Sequence, residues 1–260
     1  MERLRNPELI NLKGNTAIVT GGAMGIGFGI SQRLSEAGAN VVIADINKEV
    51  GRLTMQLLPP EMSHFVEADV TSESQVEEMV RQTVNRFGSL DILVNNAGIY
   101  PVKPVLEMTL EDWNRVITTN LTSVFLACRE GAKQMIKQGH GGKIINMGSV
   151  DSIKPWAVGL AHYDASKHAI WGFSKNLALE LAPHRIAVNV VAPGDIDTEG
   201  SRPNGIAPLD ISSTQIPLGR RGTSDDVARV VLSLASAISD YRTGTITVVD
   251  GGWLLTSKGK

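Results

Sequence analysis

Apolar positions along this chain fall into two alternating patterns. Short runs rich in β-branched residues recur at "NTAIVT" (15–20), "NVVIAD" (40–45), "SHFVEAD" (63–69), "LDILVNN" (90–96), "KIINMG" (143–148), "IAVNVVAP" (186–193) and "TITVVD" (245–250). Their length and composition predict seven strands. Between them lie stretches with helical spacing. In "TSESQVEEMVRQTVNRFG", Val76, Met79, Val80, Thr83, Val84 and Phe87 share one helical face, Ser72 with Gln75 reads as a capping box, and Gly88 closes the end. Residues 109–138 and 163–182 read as two longer helices, and Thr223 with Asp226 opens the last one.

Strands apolar on both faces, alternating with helices, predict a parallel sheet covered on both sides. The expected fold is α/β: a single doubly wound, Rossmann-like domain over residues 1–260, with a seven-stranded parallel sheet. One segment breaks the rhythm. Residues 194–222, "GDIDTEGSRPNGIAPLDISSTQIPLGRRG", are rich in Gly, Pro and Ser and follow the sixth strand's carboxyl end. Ligands bind at that edge of open α/β sheets, so the insertion at about 195–222 reads as a substrate lid.

Composition changes this picture little. The net charge of −2 gives no electrostatic case for nucleic acid or an anionic membrane. Cys128 is the only cysteine, which rules out an internal disulfide. No apolar run approaches the ~20 residues of a membrane span. The start, "MERLRNPELINLKGN", lacks the apolar core of a signal peptide, so the cytoplasm is the expected compartment. His64, His140 and His184 have no metal-ligand spacing, and no metal is expected.

Candidate chemistry sits at the strand ends. The first strand runs into "TGGAMGIG", where Gly21, Gly25 and Gly27, with Met24 and Ile26, form a tight turn before a helix. Such a turn lets a pyrophosphate approach free N–H groups and the positive end of the helix dipole. Asp45, followed by Ile46, ends the second strand 18 residues after Gly27, where a carboxylate can accept both hydroxyls of an adenosine ribose or simply cap the turn in "DINKE". Asp69 and Val70 end the third strand, where an adenine would lie, and "NNAG" ends the fourth. Tyr163 and Lys167 stand four apart on one helical face.

Taken together, these motifs resemble the short-chain dehydrogenase/reductase family. The matching residues are Thr20-Gly21, Gly25-Ile26-Gly27, Asn95-Asn96-Ala97-Gly98, Asn120, Ser149, Tyr163 with Lys167, and Pro193-Gly194, in the family's order from about residue 12 to 253. The resemblance implies hydride transfer on the B face of a nicotinamide. It makes Tyr163 the proton donor and acceptor at the substrate oxygen and Ser149 a second hydrogen-bonding group there. Lys167 would bind the ribose and lower the phenol's pKa, and Asn120 would hold a water that links Lys167 to solvent. Asn96, Ala97 and Gly98, then Pro193, Gly194, Ile196 and Thr198, would complete the cofactor site. Ser149 lies 14 residues before Tyr163, where many members have 13, so Ser152 stands as a spare candidate.

The expected activity is NAD-dependent oxidation of a secondary alcohol or reduction of its ketone, with Asp45 selecting NAD. A sugar or polyol is the expected substrate, because Asp151, Ser152, His162 and Asp195 gather polar groups around Ser149 and Tyr163. Arg202, Arg220 and Arg221 keep an anionic substrate open. Two other readings stand. One is a 3-oxoacyl carrier-protein reductase, usually NADPH-preferring, with Arg129 and Lys133 meeting the acidic carrier. The other is a non-catalytic dinucleotide-sensing regulator. Apolar and small residues on more than one side of 109–138 and 163–182 predict a homo-oligomer, a tetramer by the resemblance.

Overall fold

Five consecutive buried residues make Thr16–Thr20 (β1) a strand with no solvent face, which only an interior position in a sheet can satisfy. A computed structural model describes residues 5–199 and 216–256. In chain order it runs α1 (Asn6–Leu9), β1, α2 (Gly25–Glu36), β2 (Asn40–Asp45), α3 (Lys48–Met55), β3 (Ser63–Glu67), α4 (Glu73–Phe87) and β4 (Ile92–Asn95). Then come α5 (Leu110–Ile117), α6 (Ser123–Gln138), β5 (Gly142–Met147), α7 (Ala161–Leu181) and β6 (Ile186–Pro193). Two short strands, β7 (Ile196–Asp197) and β8 (Gly222–Thr223), precede α8 (Ser224–Ala235) and β9 (Ile246–Val249).

Seven strands form one sheet in the order β3-β2-β1-β4-β5-β6-β9, and every neighbouring pair is parallel. This is the doubly wound, Rossmann-like fold expected. Its helices divide between the faces. Ile30 and Leu34 of α2 pack with Val227 and Val231 of α8 on one side. Val76 and Met79 of α4, Cys128 of α6 and Ile170 of α7 cover the other. The order of strand addition reverses between β1 and β4, which opens a crevice at their carboxyl ends. The core also holds amides. Asn95 Nδ2 donates to Asn146 Oδ1 across the β4–β5 pair (2.8 Å), and Asn146 Nδ2 donates to Ser174 Oγ (2.9 Å).

Three local expectations need correction. The helix expected over 109–138 contains a π turn at Thr118–Thr122, with Asn120 buried inside it. Asparagine hydrogen-bonds nearby backbone and so loosens regular helix, and π turns gather at functional sites. The capping box at Ser72 is not formed. Gln75 Oε1 instead accepts the Asp69 N–H (2.9 Å), and Ser72 Oγ meets Ser74 Oγ. The third strand stops at Glu67 because Asp69 turns the chain, its carboxylate accepting the Thr71 N–H and hydroxyl. The box at Thr223–Asp226 and the left-handed Gly88 cap are present as expected. Of the expected lid, residues 200–215, including Arg202, lie outside the described residues.

Candidate active site

A cleft of about 710 Å³ runs along the carboxyl ends of β1, β2, β4, β5 and β6. At its floor, Gly21 and Gly25 have left-handed backbone (φ 60° and 54°), which side chains disfavour. A Cβ on Gly27 would lie 2.0 Å from the Gly21 carbonyl, so glycine is required there. Asn96 ties this turn to β4: its Nδ2 donates to the carbonyls of Thr20 (3.1 Å) and Gly21 (3.0 Å). The first turn of α2 has no side-chain cap, which leaves its N–H groups for an anion. Thr198 packs over Gly25 from the opposite wall. A glycine cradle with open helix amides fits the pyrophosphate of a dinucleotide.

Asp45 closes the cleft's far end beside Met24 and Ile46. Its carboxylate accepts the backbone N–H groups of Ala23 (3.3 Å) and Asn47 (3.0 Å). The turn-capping role and the place in the cleft therefore coincide, and the backbone aims the carboxylate. Asp69 and Val70 form the neighbouring wall, and Ala97, Gly98, Pro193, Gly194 and Ile196 line the rest.

At the other end stand Ser149, Tyr163 and Lys167. Ser149 follows β5 directly and lines the cleft, whereas Ser152 does not. Ser152 Oγ donates to the Lys167 carbonyl (2.8 Å) and accepts the Ser149 N–H (3.2 Å), bracing the segment from behind. The geometry thus favours Ser149 over the spare candidate. Tyr163 hydrogen-bonds Ser149, and burial pushes its phenol above the ordinary value. Lys167 Nζ donates to the Met147 carbonyl (2.8 Å) and lies 5.5 Å from the centre of the Tyr163 ring. Burial lowers the lysine to about 8. The expectation that the ammonium lowers the phenol's pKa does not hold in the protein alone, where desolvation dominates both groups.

Asn120 does not reach the cleft wall. Its Oδ1 accepts the Ile99 N–H (2.8 Å), while its Nδ2 donates to the Ile99 carbonyl (2.8 Å) and to Ser166 Oγ (3.2 Å). It fixes the loop after β4 and lies close to Gly98, whose added Cβ would sit 3.3 Å from Oδ1 and 3.8 Å from Lys167 Nζ.

The expected polar substrate groups are fewer than the sequence suggests. His162 is fully buried off the cleft, its Nδ1 accepting the Tyr163 N–H (3.0 Å), because adjacent helical positions point about 100° apart. Asp195 lines the cleft, but both its oxygens accept from Arg221 (2.7 and 2.6 Å). Arg220 is likewise engaged by Asp226. Asp151 does line the cleft, and its Oδ2 accepts the Ser149 hydroxyl (2.7 Å) and Trp156 Nε1–H (3.1 Å). Aromatic walls that the motifs left out replace the missing groups. Tyr100 stands edge-on to Tyr163 at 6.0 Å, and Trp156 edge-on to Trp253 at 5.0 Å. Each pair joins segments far apart in sequence, which no local motif encodes.

Among the described residues, no group of three or more His, Cys, Asp or Glu is arranged to hold a metal, and no helix is long and apolar enough to cross a membrane. On α6, Arg129 pairs with Glu73 and Glu130, and Lys133 with Glu130.

Residues 21–254 match the family described as enoyl-(acyl carrier protein) reductase. The chain is 41% identical over 246 residues to a 3-oxoacyl acyl-carrier-protein reductase of Chlamydia pneumoniae, covering 94% of this chain and 98% of that one. It is 37% identical over 254 residues to an L-2,3-butanediol dehydrogenase of Corynebacterium glutamicum, covering 92% and 98%. A crystal structure of a short-chain type dehydrogenase/reductase from Mycobacterium marinum superposes with a TM-score of 0.90 at 37% identity, covering 96% of this chain and 99% of that one.

Proposed function

The chain belongs to the short-chain dehydrogenase/reductase family, and on that premise we propose that it is an NAD-dependent oxidoreductase interconverting a secondary alcohol and its ketone. The observation that carries this reading is one cleft holding Asp45 at one end and the Ser149–Tyr163–Lys167 group at the other. The glycine turn, Asp45, Asp69, Asn96 to Gly98 and Pro193 to Thr198 would hold the dinucleotide, which supplies or takes up the hydride when bound. Tyr163 gives its phenolic proton to the substrate oxygen in reduction and takes it back in oxidation. Ser149 hydrogen-bonds the same oxygen. Lys167, mostly protonated below about 8, adds positive charge next to the phenol and binds the ribose. Asn120 positions the loop at Ile99 that borders them.

For substrate, we infer a small, unattached molecule with a second oxygen function within two carbons of the reacting one. The named substrates of the two relatives, a 3-oxoacyl group and a 2,3-diol, share that feature, as do sugars and polyols. The 3-oxoacyl carrier-protein reading is favoured by the Chlamydia relative. The ion pairs of Arg129 and Lys133 with Glu73 and Glu130 weigh against a carrier surface there. Initial rates with polyols, sugars, 2-hydroxyketones and 3-oxoacyl thioesters, free and carrier-bound, test this with both cofactors. We expect a free substrate with NAD(H) to give the highest kcat/KM. A carrier-bound thioester exceeding every free compound by tenfold would reverse the substrate assignment, and absence of turnover with all of them would favour the sensing regulator.

We also infer a homo-oligomer. Phe125 and Ile136 on α6 and Leu179 on α7 are 43, 40 and 76% exposed, which is costly on helices already packed on their own sheet. Light scattering at micromolar concentration is expected to give a multiple of the 27.9 kDa chain mass, and a monomer would refute the assignment.

A further inference from the structure

Asp151 has one oxygen fully engaged and the other without a donor. Oδ2 accepts from Ser149 and Trp156, and the Asp151 backbone N–H donates back to Ser149 Oγ (3.2 Å). Oδ1 is buried with no conventional partner, and so is Oδ1 of Asp164. The two residues meet, one in the turn after β5 and the other in the first turn of α7, with their carboxyl groups in hydrogen-bonding contact. Two carboxyl groups can bond only if one carries a proton. Asp151 is 1% exposed, so a doubly ionised pair would set like charges together out of water.

We propose that Asp151 is a positioning residue that shares one proton with Asp164, and that this proton keeps Asp151 a neutral acceptor so that Ser149 can turn its hydroxyl to the substrate oxygen. A hydrogen bond to an ionised acceptor is about twice as strong as one to a neutral acceptor. Ionised Asp151 would therefore hold the Ser149 proton against the substrate. It would also place a negative charge beside the oxygen that gains negative charge during reduction. The charged or titratable groups that act on Asp151 are Asp164, Tyr163 and Lys167 on α7; Tyr100 after β4 faces Tyr163, and Asp195 with its partner Arg221 acts on Tyr100 rather than on Asp151. Lys167 is a cation that acts on Asp151, yet its ammonium bonds the Met147 carbonyl. Burial and the neighbouring carboxyl raise Asp151 to about 7, so the proton would leave within the physiological range.

The inference rests on the proposed role of Ser149 at the reacting oxygen. Its first test is the pH profile of kcat/KM for ketone reduction between about pH 5.5 and 9. The wild type is expected to fall about tenfold per unit above the pair's apparent pKa. Asp151→Asn, neutral at every pH, is expected to lose the fall that begins near 7 and to keep only the later one set by Lys167 near 8. Asp164→Asn, which donates to Asp151 and removes the like charge, is expected to move it down by a unit or more. An unchanged limb in Asp151→Asn overturns the proposal. The second test needs no turnover. Infrared difference spectra of the cofactor-free protein are expected to show a protonated carboxylic acid at pH 6 that disappears in Asp151→Asn. Its absence from the wild type overturns the pairing, and its presence in a protein without turnover would leave the pairing standing and sink only the assigned reaction.

Discussion

Tyr163→Phe is expected to lower kcat by about 10²–10⁴-fold while the dinucleotide still binds with nearly native affinity. The substitution removes one oxygen, the only titratable hydroxyl bonded to Ser149 in the cleft, and leaves the ring that packs edge-on against Tyr100. Water is a poor replacement, because the phenol site is desolvated enough to push its proton's pKa upward. Lys167→Ala is expected to behave differently, weakening cofactor binding as well as turnover, since Lys167 lines the cleft and is the residue proposed to bind the ribose. Steady-state rates combined with fluorescence titration of the reduced cofactor separate the two outcomes. A Tyr163→Phe enzyme that keeps a tenth of the wild-type kcat would show that the phenol is not the proton donor.

Asp45 is expected to give NAD about a 100-fold advantage over NADP in kcat/KM, a difference of about 2.8 kcal/mol. Two charges at ~4 Å repel by ~4 kcal/mol at an effective dielectric near 20, and partial exposure of this end of the cleft reduces that. The backbone N–H groups of Ala23 and Asn47 hold the carboxylate in place, so it cannot easily swing away from a 2′-phosphate. Among the described residues that line the cleft, Lys167 is the only lysine or arginine, and it stands at the opposite end. Asp45→Ala is expected to collapse the preference to less than about tenfold, mostly by improving NADP. Parity of the two cofactors in the wild type, or an unchanged ratio in the variant, would refute the role.

The sheet and the cleft were legible because each depends on local pattern. Strand runs such as "NTAIVT", the glycine turn and the Tyr163–Lys167 spacing state their geometry within a few residues. What escaped depends on contacts between distant segments. Arg221 neutralises Asp195 from 26 residues away, and Glu73 reaches Arg129 from another helix, so charges that looked available are engaged. Ser152 and His162 sit next to true cleft residues in sequence, but the turn and the helix point them into the interior. Asn120 was identifiable as an unusual helix residue, yet neither the π turn that carries it nor its side-chain bonds to Ile99 are encoded in sequence spacing. The pairing of Asp151 with Asp164 was hidden for the same reason.

The amide chain inside the core has a bearing on how the polypeptide finds its register. Parallel strands of Val, Ile and Leu match one another almost equally well after a slide, so apolar burial alone distinguishes poorly between alignments. Asn95 and Asn146 stand opposite one another in the β4–β5 ladder, and only that alignment lets the first amide donate to the second and the second to Ser174. A slip by one residue turns each side chain to the other face and strands buried amides, at about 1–3 kcal/mol for each unsatisfied group. Asn96 to Gly98 begin immediately after the one strand, and Ser149 stands two residues beyond the other. The same pair of asparagines that rejects misaligned sheets during folding therefore sets the spacing between the dinucleotide's cradle and the hydroxyl that meets the substrate.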